Sequence, residues 1–276
     1  MNEIGFLLLT YSRPASIARL VRRLQRSFPN APIVCHHDFG QCPLLRNELP
    51  GVKFVWPYLP TSWNGFDTIE AVFLALKTMI ELPNSPEWTV VLSGADFPIK
   101  PASEILRVLA NSPFDGYMHH EPVDPSNIRR PWQLVCVGRY FRPPLAGEVG
   151  HPFSERRCFA GEGWSTLRRI AVKRLVERHQ ENGEVTRWFR RCEIPGEAYF
   201  QTILLNERDI AIHGDPLRFI EWRENAAHPN TLTMEHWPRL MSSHAHFARK
   251  FDPLVDAEII DRLDEWLDAT DVPHNR

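Results

Sequence analysis

Apolar β-branched runs alternate with amphipathic helical runs through the first 110 residues, and few folds accept that order. Ile4–Thr10 reads as a buried strand. Arg13–Phe28 then places Ile17, Leu20, Val21 and Leu24 at helical spacing, with Arg19, Arg22, Arg23 and Arg26 on the other face and Pro14 suited to the first turn. Pro32–Cys35 and Val52–Val55 are short strands. Phe66–Leu82 is a second helix, with Ile69, Val72, Phe73, Leu76 and Ile80 on one stripe. Thr89–Leu92 and a helix through Ala102–Leu109 complete the series. This order predicts an α/β fold with a mostly parallel central sheet, right-handed crossovers and helices on both faces.

The remaining sequence is less regular. Gly116–Glu121 and Leu134–Tyr140 read as strands, Val123–Pro131 as a polar loop, and Arg142–Arg157 as a Pro/Gly-rich segment suited to covering a site. A helix at Arg169–Gln180, a short helix from Glu197 to Leu205, strand pieces at Asp209–Ile212 and Arg218–Trp222, and an amphipathic helix at Pro253–Leu267 follow. No linker or repeat divides the chain, so residues 1–276 are expected to form one domain.

Composition narrows the function. A net charge of -2 gives no nucleic-acid footprint, and no apolar stretch approaches the roughly 20 residues of a membrane span. Five scattered cysteines without a Cys-x-x-Cys pair fit reduced thiols in a cytoplasm, not a disulfide frame or a zinc site.

The richest motif is Leu92–Lys100, Leu-Ser-Gly-Ala-Asp-Phe-Pro-Ile-Lys. It puts Asp96 and Lys100 just past a strand, at the crevice where open α/β sheets bind nucleotide-type ligands. A plain turn with Asp96 bonding its own backbone fits equally well. Arg249-Lys250, near His246, Phe247 and Phe251, suits a diphosphate, yet a solvated charge pair explains it as simply. Glu197 opens an apolar helix, where it can serve the helix dipole or act as a general base. His36-His37-Asp38 ends the second strand. Its histidines point to opposite faces and do not form one metal site, whereas Asp38 can reach a base or ribose. There is no Asp-x-Asp pair at a strand end, and no GxGxxG, P-loop, GxSxG or HExxH.

The order of these pieces resembles the core-2/I-branching β-1,6-N-acetylglucosaminyltransferases and their peptide-O-xylosyltransferase relatives, from Phe6 to about Asp252. The matching segments are Phe6–Tyr11 with Val34–Asp38, Ser62-Trp63-Asn64-Gly65, Leu92–Ile99, Gly161–Arg169, Pro195–Thr202 and Phe247–Asp252. Six in order outweigh the structural readings of Glu197 and Lys250. The resemblance implies a GT-A-like fold with a nucleotide-binding half (1–110) and an acceptor and catalytic half (111–276). It implies inverting transfer of a sugar, by this resemblance N-acetylglucosamine, from a UDP-sugar to a hydroxyl, with no divalent metal and no other cofactor.

Under that resemblance Glu197 is the base, and Lys250 neutralises the leaving diphosphate with help from Arg249, Arg239 or Arg223. Thr10, Tyr11, Asp38 and Asp96 belong to the nucleotide side; Glu121, Arg129, Arg130 and Trp164 belong to the acceptor side. Two departures stand out: Gly196 replaces an expected Asp, and Glu162 an expected Ser. They motivate an inactive nucleotide- or glycan-binding module as one alternative; a xylosyl- or glucuronosyltransferase of the same fold is the other, implied by the resemblance. The expected setting is a bacterial cytoplasm and polysaccharide synthesis, with a glycan or glycolipid acceptor and at most peripheral membrane contact.

Overall fold

Period-two burial organises the centre of the molecule. In the computed structural model, which describes residues 3–63, 65–123, 157–192, 194–223, 226 and 228–271, successive residues of the inner strands feed two separate cores. Ile4, Phe6 and Leu8 of β1 (Ile4–Thr10), Ile33 and Cys35 of β2 (Ile33–His37), and Trp88, Val90 and Leu92 of β4 (Trp88–Ser93) enter one core. Leu7, Val34 and Val91 enter the other. Strands buried on both faces are what a mostly parallel sheet requires.

The first core is closed by α1 (Pro14–Ser27), α3 (Ala102–Ala110) and α8 (Glu258–Thr270). The second is closed by α2 (Phe66–Ile80), α4 (Arg169–Gln180), α5 (Glu184–Phe189) and α6 (Tyr199–Leu204). A short α7 (Trp237–Ser242) precedes the last strand, β12 (Phe247–Arg249). Helices therefore cover both faces, as the alternation predicts. Among the described residues, no helix is long and apolar enough to cross a membrane.

The central sheet runs β10-β6-β9-β4-β1-β2-β3, with β3 at Val52–Phe54, β6 at Gly116–Met118, β9 at Ser165–Arg168 and β10 at Ile212–His213. Its pairings are parallel except around β9, which is antiparallel to both neighbours. β7 (Glu121–Pro122) and β8 (Phe159–Ala160) form a two-stranded ribbon. A three-stranded sheet orders β11 (Arg218–Ile220), β12 (Phe247–Arg249) and β5 (Phe97–Pro98). β12 pairs parallel to β11, matching Ile220 with Arg249, and antiparallel to β5, matching Phe247 with Pro98. This small sheet carries the C-terminal Arg-Lys pair to the end of β4.

Several expectations need correction. The segment Glu197–Leu205 is not one helix: Pro195–Glu197 is a 3-10 turn, and the α-helix begins at Tyr199. The Asp209–Ile212 strand reduces to Ile212–His213, because Ile210 turns into the second core. The closing helix starts at Glu258, not Pro253; Val255 and Asp256 donate to Asp252 O in a turn, and Asp256 accepts from Ile259 N at 3.1 Å. Arg23, placed by spacing on a polar face, is buried. Its Nη2 meets Asp268 at 2.6 Å and its Nη1 donates to Asp264 O at 3.1 Å, because α8 lies across that face of α1. Leu134–Tyr140 and nearly all of Val123–Pro131 and Arg142–Arg157 lie outside the described residues.

One buried group links this fold to pH. His246, 2% exposed, has no hydrogen-bond partner on either ring nitrogen among the described residues. Burial, then the nearby Arg218 charge, lowers its pKa from 6.5 to about 4. The unfolded chain therefore binds the extra proton first, and stability falls as pH drops from 6.5 towards 4, by roughly 3 kcal/mol in all. His246→Leu is expected to flatten that part of the profile. Urea midpoints between pH 4.5 and 7.5 check it, and an unchanged slope in the variant counts against the assignment.

Candidate active site

The end of β4 is built around a buried ion pair. Asp96 and Arg218 have fully buried side chains, and Arg218 Nη1 lies 2.6 Å from Asp96 Oδ1. Arg218 Nη2 donates to Val91 O at 3.0 Å. Ser93 donates its backbone N–H (2.8 Å) and its hydroxyl to Asp96 Oδ2, and Arg249 Nε approaches the same oxygen at 3.5 Å. Burial lowers the pKa of both guanidinium groups, and the Asp96 charge opposes that shift. Asp96 is thus both the turn-former and the anion of a two-arginine cluster. Its charge is committed to Arg218 and Arg249, which leaves it poorly suited to hold a divalent cation.

Arg249 is held from a second side. Its guanidinium lies over the Trp164 ring, 3.8 Å from the centroid, a cation–π contact in a largely desolvated place. Lys250 follows on the chain. Its backbone carbonyl accepts from Leu232 N at 2.8 Å, and the next residue's N–H donates to Ala95 O at 2.9 Å. Its ammonium is half-buried and makes no hydrogen bond or ion pair among the described residues. Burial and then the Arg249 charge lower its pKa, while Asp96 pulls the other way. Asp96 and Glu162 balance Arg218 and Arg249, so Lys250 is the cation left over. An uncompensated, partly desolvated ammonium is an anion site.

Glu197 reaches this cluster through one loop. Gly161 N donates to Glu197 O at 2.7 Å, and Glu197 N donates to Ile194 O at 3.2 Å. Gly161 must be glycine, because a Cβ there would sit 1.9 Å from His119 O. Three residues further on, the same loop supplies Trp164 beneath Arg249. Gln201, on α6, donates to Glu162 O at 3.0 Å and pins the loop from below. Glu197 and the Arg249-Lys250 pair therefore flank a single loop, Gly161–Trp164. A partly buried carboxylate and a partly buried cation so placed can remove a proton and stabilise a leaving anion.

The other predicted residues divide. Asp38 is buried and accepts four bonds: Oδ1 from Gly40 N (3.0 Å), and Oδ2 from Gln41 Nε2 (2.7 Å), Thr61 N (2.7 Å) and Thr61 Oγ1 (3.1 Å). Burial resists its ionisation, but these bonds prevail and hold its pKa below the usual carboxylate value. It ties the Gly40–Thr61 loop together through Oδ2, while Oδ1 accepts one bond among the described residues. Thr10 is buried, its hydroxyl on His37 Nδ1 at 2.9 Å. Tyr11, the next residue, is exposed. Arg239 pairs with Glu221, and Arg223 is exposed beyond β11. Glu221 follows directly after Ile220, the partner of Arg249, and it is the acid that pairs with Arg239. Glu121 is partly buried on β7, 3.7 Å from His119 Nε2. Arg129 and Arg130 lie outside the described residues.

Two residues were missed. Arg218 sits in a short apolar strand, which is itself the signal that an acid must be buried with it. Trp222 donates Nε1–H to Glu162 Oε1 at 2.9 Å; the sequence holds no cue to that pairing.

A mostly parallel α/β sheet with an anion site at its strand ends has the layout of a protein that binds a phosphorylated ligand in the crevice. Comparison with known proteins makes the class specific. The Core-2/I-Branching enzyme family model matches residues 41–244, and the chain belongs to that family. It is 22% identical over 306 residues to Xylosyltransferase oxt of Drosophila melanogaster, covering 96% of this chain and 33% of that protein. It is 25% identical over 272 residues to Beta-glucuronosyltransferase GlcAT14B of Arabidopsis thaliana, covering 87% and 60%. The chain thus spans about a third to three-fifths of these relatives' length. Mouse Xyloside xylosyltransferase 1 aligns with a TM-score of 0.44 and 12% identity, over 89% of this chain and 97% of that one.

Proposed function

We propose that the chain is an inverting glycosyltransferase that moves a sugar from a UDP-sugar to a hydroxyl of a glycan or glycolipid, without a divalent metal. The observation that carries this reading is the Lys250 ammonium, partly desolvated and without a counter-ion among the described residues, at the carboxyl end of β4. Glu197 takes the proton of the acceptor hydroxyl as its oxygen bonds to the anomeric carbon. The bond from that carbon to the phosphate oxygen breaks with its electron pair. Attack opposite the leaving group inverts the centre in one step. Lys250 and Arg249 meet the charge that develops on the diphosphate, the task a divalent cation performs elsewhere. Asp96 orients Arg249, and Asp38 shapes the loop beside the nucleotide.

N-acetylglucosamine follows from the resemblance of the motifs, whereas the names of the relatives point to xylose and glucuronic acid. A panel of the three UDP-sugars separates them. Turnover is expected to persist in excess EDTA, and its loss there overturns the metal-free mechanism. Lys250→Met is expected to weaken UDP binding about tenfold or more, the loss of one charge-assisted contact. Because the Lys250 pKa is lowered, wild-type affinity for UDP should decline as pH climbs through that lowered value, while the variant stays flat. Calorimetry between pH 7 and 10 reads both. UDP bound equally well by the variant removes Lys250 from the site.

A further inference from the structure

Glu162 stands where the motif resemblance expects a serine, inside the loop that joins the two halves of the chemistry. On one side of it, Gly161 N bonds to Glu197 O at 2.7 Å. On the other, Trp164 carries the Arg249 guanidinium. Its backbone is pinned by Gln201 at 3.0 Å, and one carboxylate oxygen is fixed by Trp222 Nε1 at 2.9 Å. The second oxygen makes no hydrogen bond among the described residues, and the carboxylate charge also acts on the Arg249 and Arg218 guanidiniums. Trp222 itself is 47% exposed, so part of its indole is open to solvent beside this carboxylate.

We propose that Glu162 and Trp222 form the recognition pair for the donor sugar, and that they select a neutral sugar over a hexuronate. The assignment rests on the proposed transfer reaction. There the donor sugar lies between the diphosphate, at Arg249 and Lys250, and the base, Glu197; residue 162 occupies that interval. A carboxylate with one oxygen fixed and one open accepts bonds from sugar hydroxyls. An exposed indole face supplies the apolar contact that sugar C–H groups need. The same negative charge repels a second carboxylate brought to it on the sugar, so UDP-xylose and UDP-N-acetylglucosamine are accepted and UDP-glucuronic acid is disfavoured.

The test is competition binding and turnover with UDP, UDP-xylose, UDP-N-acetylglucosamine and UDP-glucuronic acid on wild type and Glu162→Gln. Glutamine keeps the oxygen that accepts from Trp222 and replaces the open, charged oxygen with an amide N–H donor. The wild type is expected to favour the neutral donors by about tenfold or more. In Glu162→Gln that preference, taken relative to UDP alone on the same variant, should collapse to near unity. An unchanged preference in the variant, or a wild type that favours UDP-glucuronic acid, overturns the proposal while UDP binding still supports the transfer reading. A wild type that binds no UDP overturns both.

Discussion

Asp96→Ala is expected to destabilise the protein by roughly 3–5 kcal/mol, the cost of breaking a buried ion pair from one side. Arg218 has no exposed side-chain surface, its Nε already lacks a partner, and Asp96 is the acid that faces it. Without that carboxylate, Arg218 and Arg249 become two buried cations close together. The loss corresponds to a Tm drop on the order of 10 °C for a chain of this size. Asp96→Leu combined with Arg218→Met should recover much of it, since removing both charges leaves neither uncompensated. A diphosphate offers a second rescue. If the cluster faces the nucleotide, UDP should raise the Tm of Asp96→Asn more than that of wild type, because the ligand replaces missing negative charge. Thermal melts with and without UDP decide the matter. A single variant that melts within about 2 °C of wild type would sink the structural account. Destabilisation without the enhanced UDP response leaves Asp96 purely structural.

Some elements were legible because their residues obey one period at a time. Ile4–Thr10 is apolar throughout and β-rich, and the structure has a strand with those bounds. Arg169–Gln180 keeps helical spacing over its full length and is likewise unchanged. β9 escaped detection because Ser165–Arg168 is short and mixed in polarity; the two strands on either side bury it, not its composition. β12 escaped because Phe-Ala-Arg is three residues long and its cations read as surface charge. At the site, motif order pointed to Asp96, Glu197 and Lys250, but the role of Asp96 depends on Arg218, 122 positions away in sequence. A pairing of that separation leaves no local trace. Asp38 adds what spacing does not show: a strand-end acid suggests a ligand contact, and in the structure its Oδ2 also holds Gln41 and Thr61. Sequence supplies the chemical types at a site, and packing decides which of them keep a free valence.

Glu197→Gln is expected to lower kcat by about 10³-fold, within the range for loss of a positioned general base, with UDP affinity unchanged. The side chain keeps its length and hydrogen-bonding oxygen but can no longer hold a proton taken from the acceptor. Glu197 ends a 3-10 turn led by Pro195, and its carbonyl is bonded by Gly161, so the backbone that aims it survives the change. The melting temperature should therefore stay near that of wild type, which separates a chemical loss from a folding loss. Lys250→Met acts on the other end of the same displacement and should show in UDP affinity as well as in kcat. If Glu197 and Lys250 serve one transition state, the double variant will lose less than the product of the single losses, since each is already limiting once the other is gone. Multiplicative losses would assign them to separate events, and wild-type turnover in Glu197→Gln would remove the base from this site altogether.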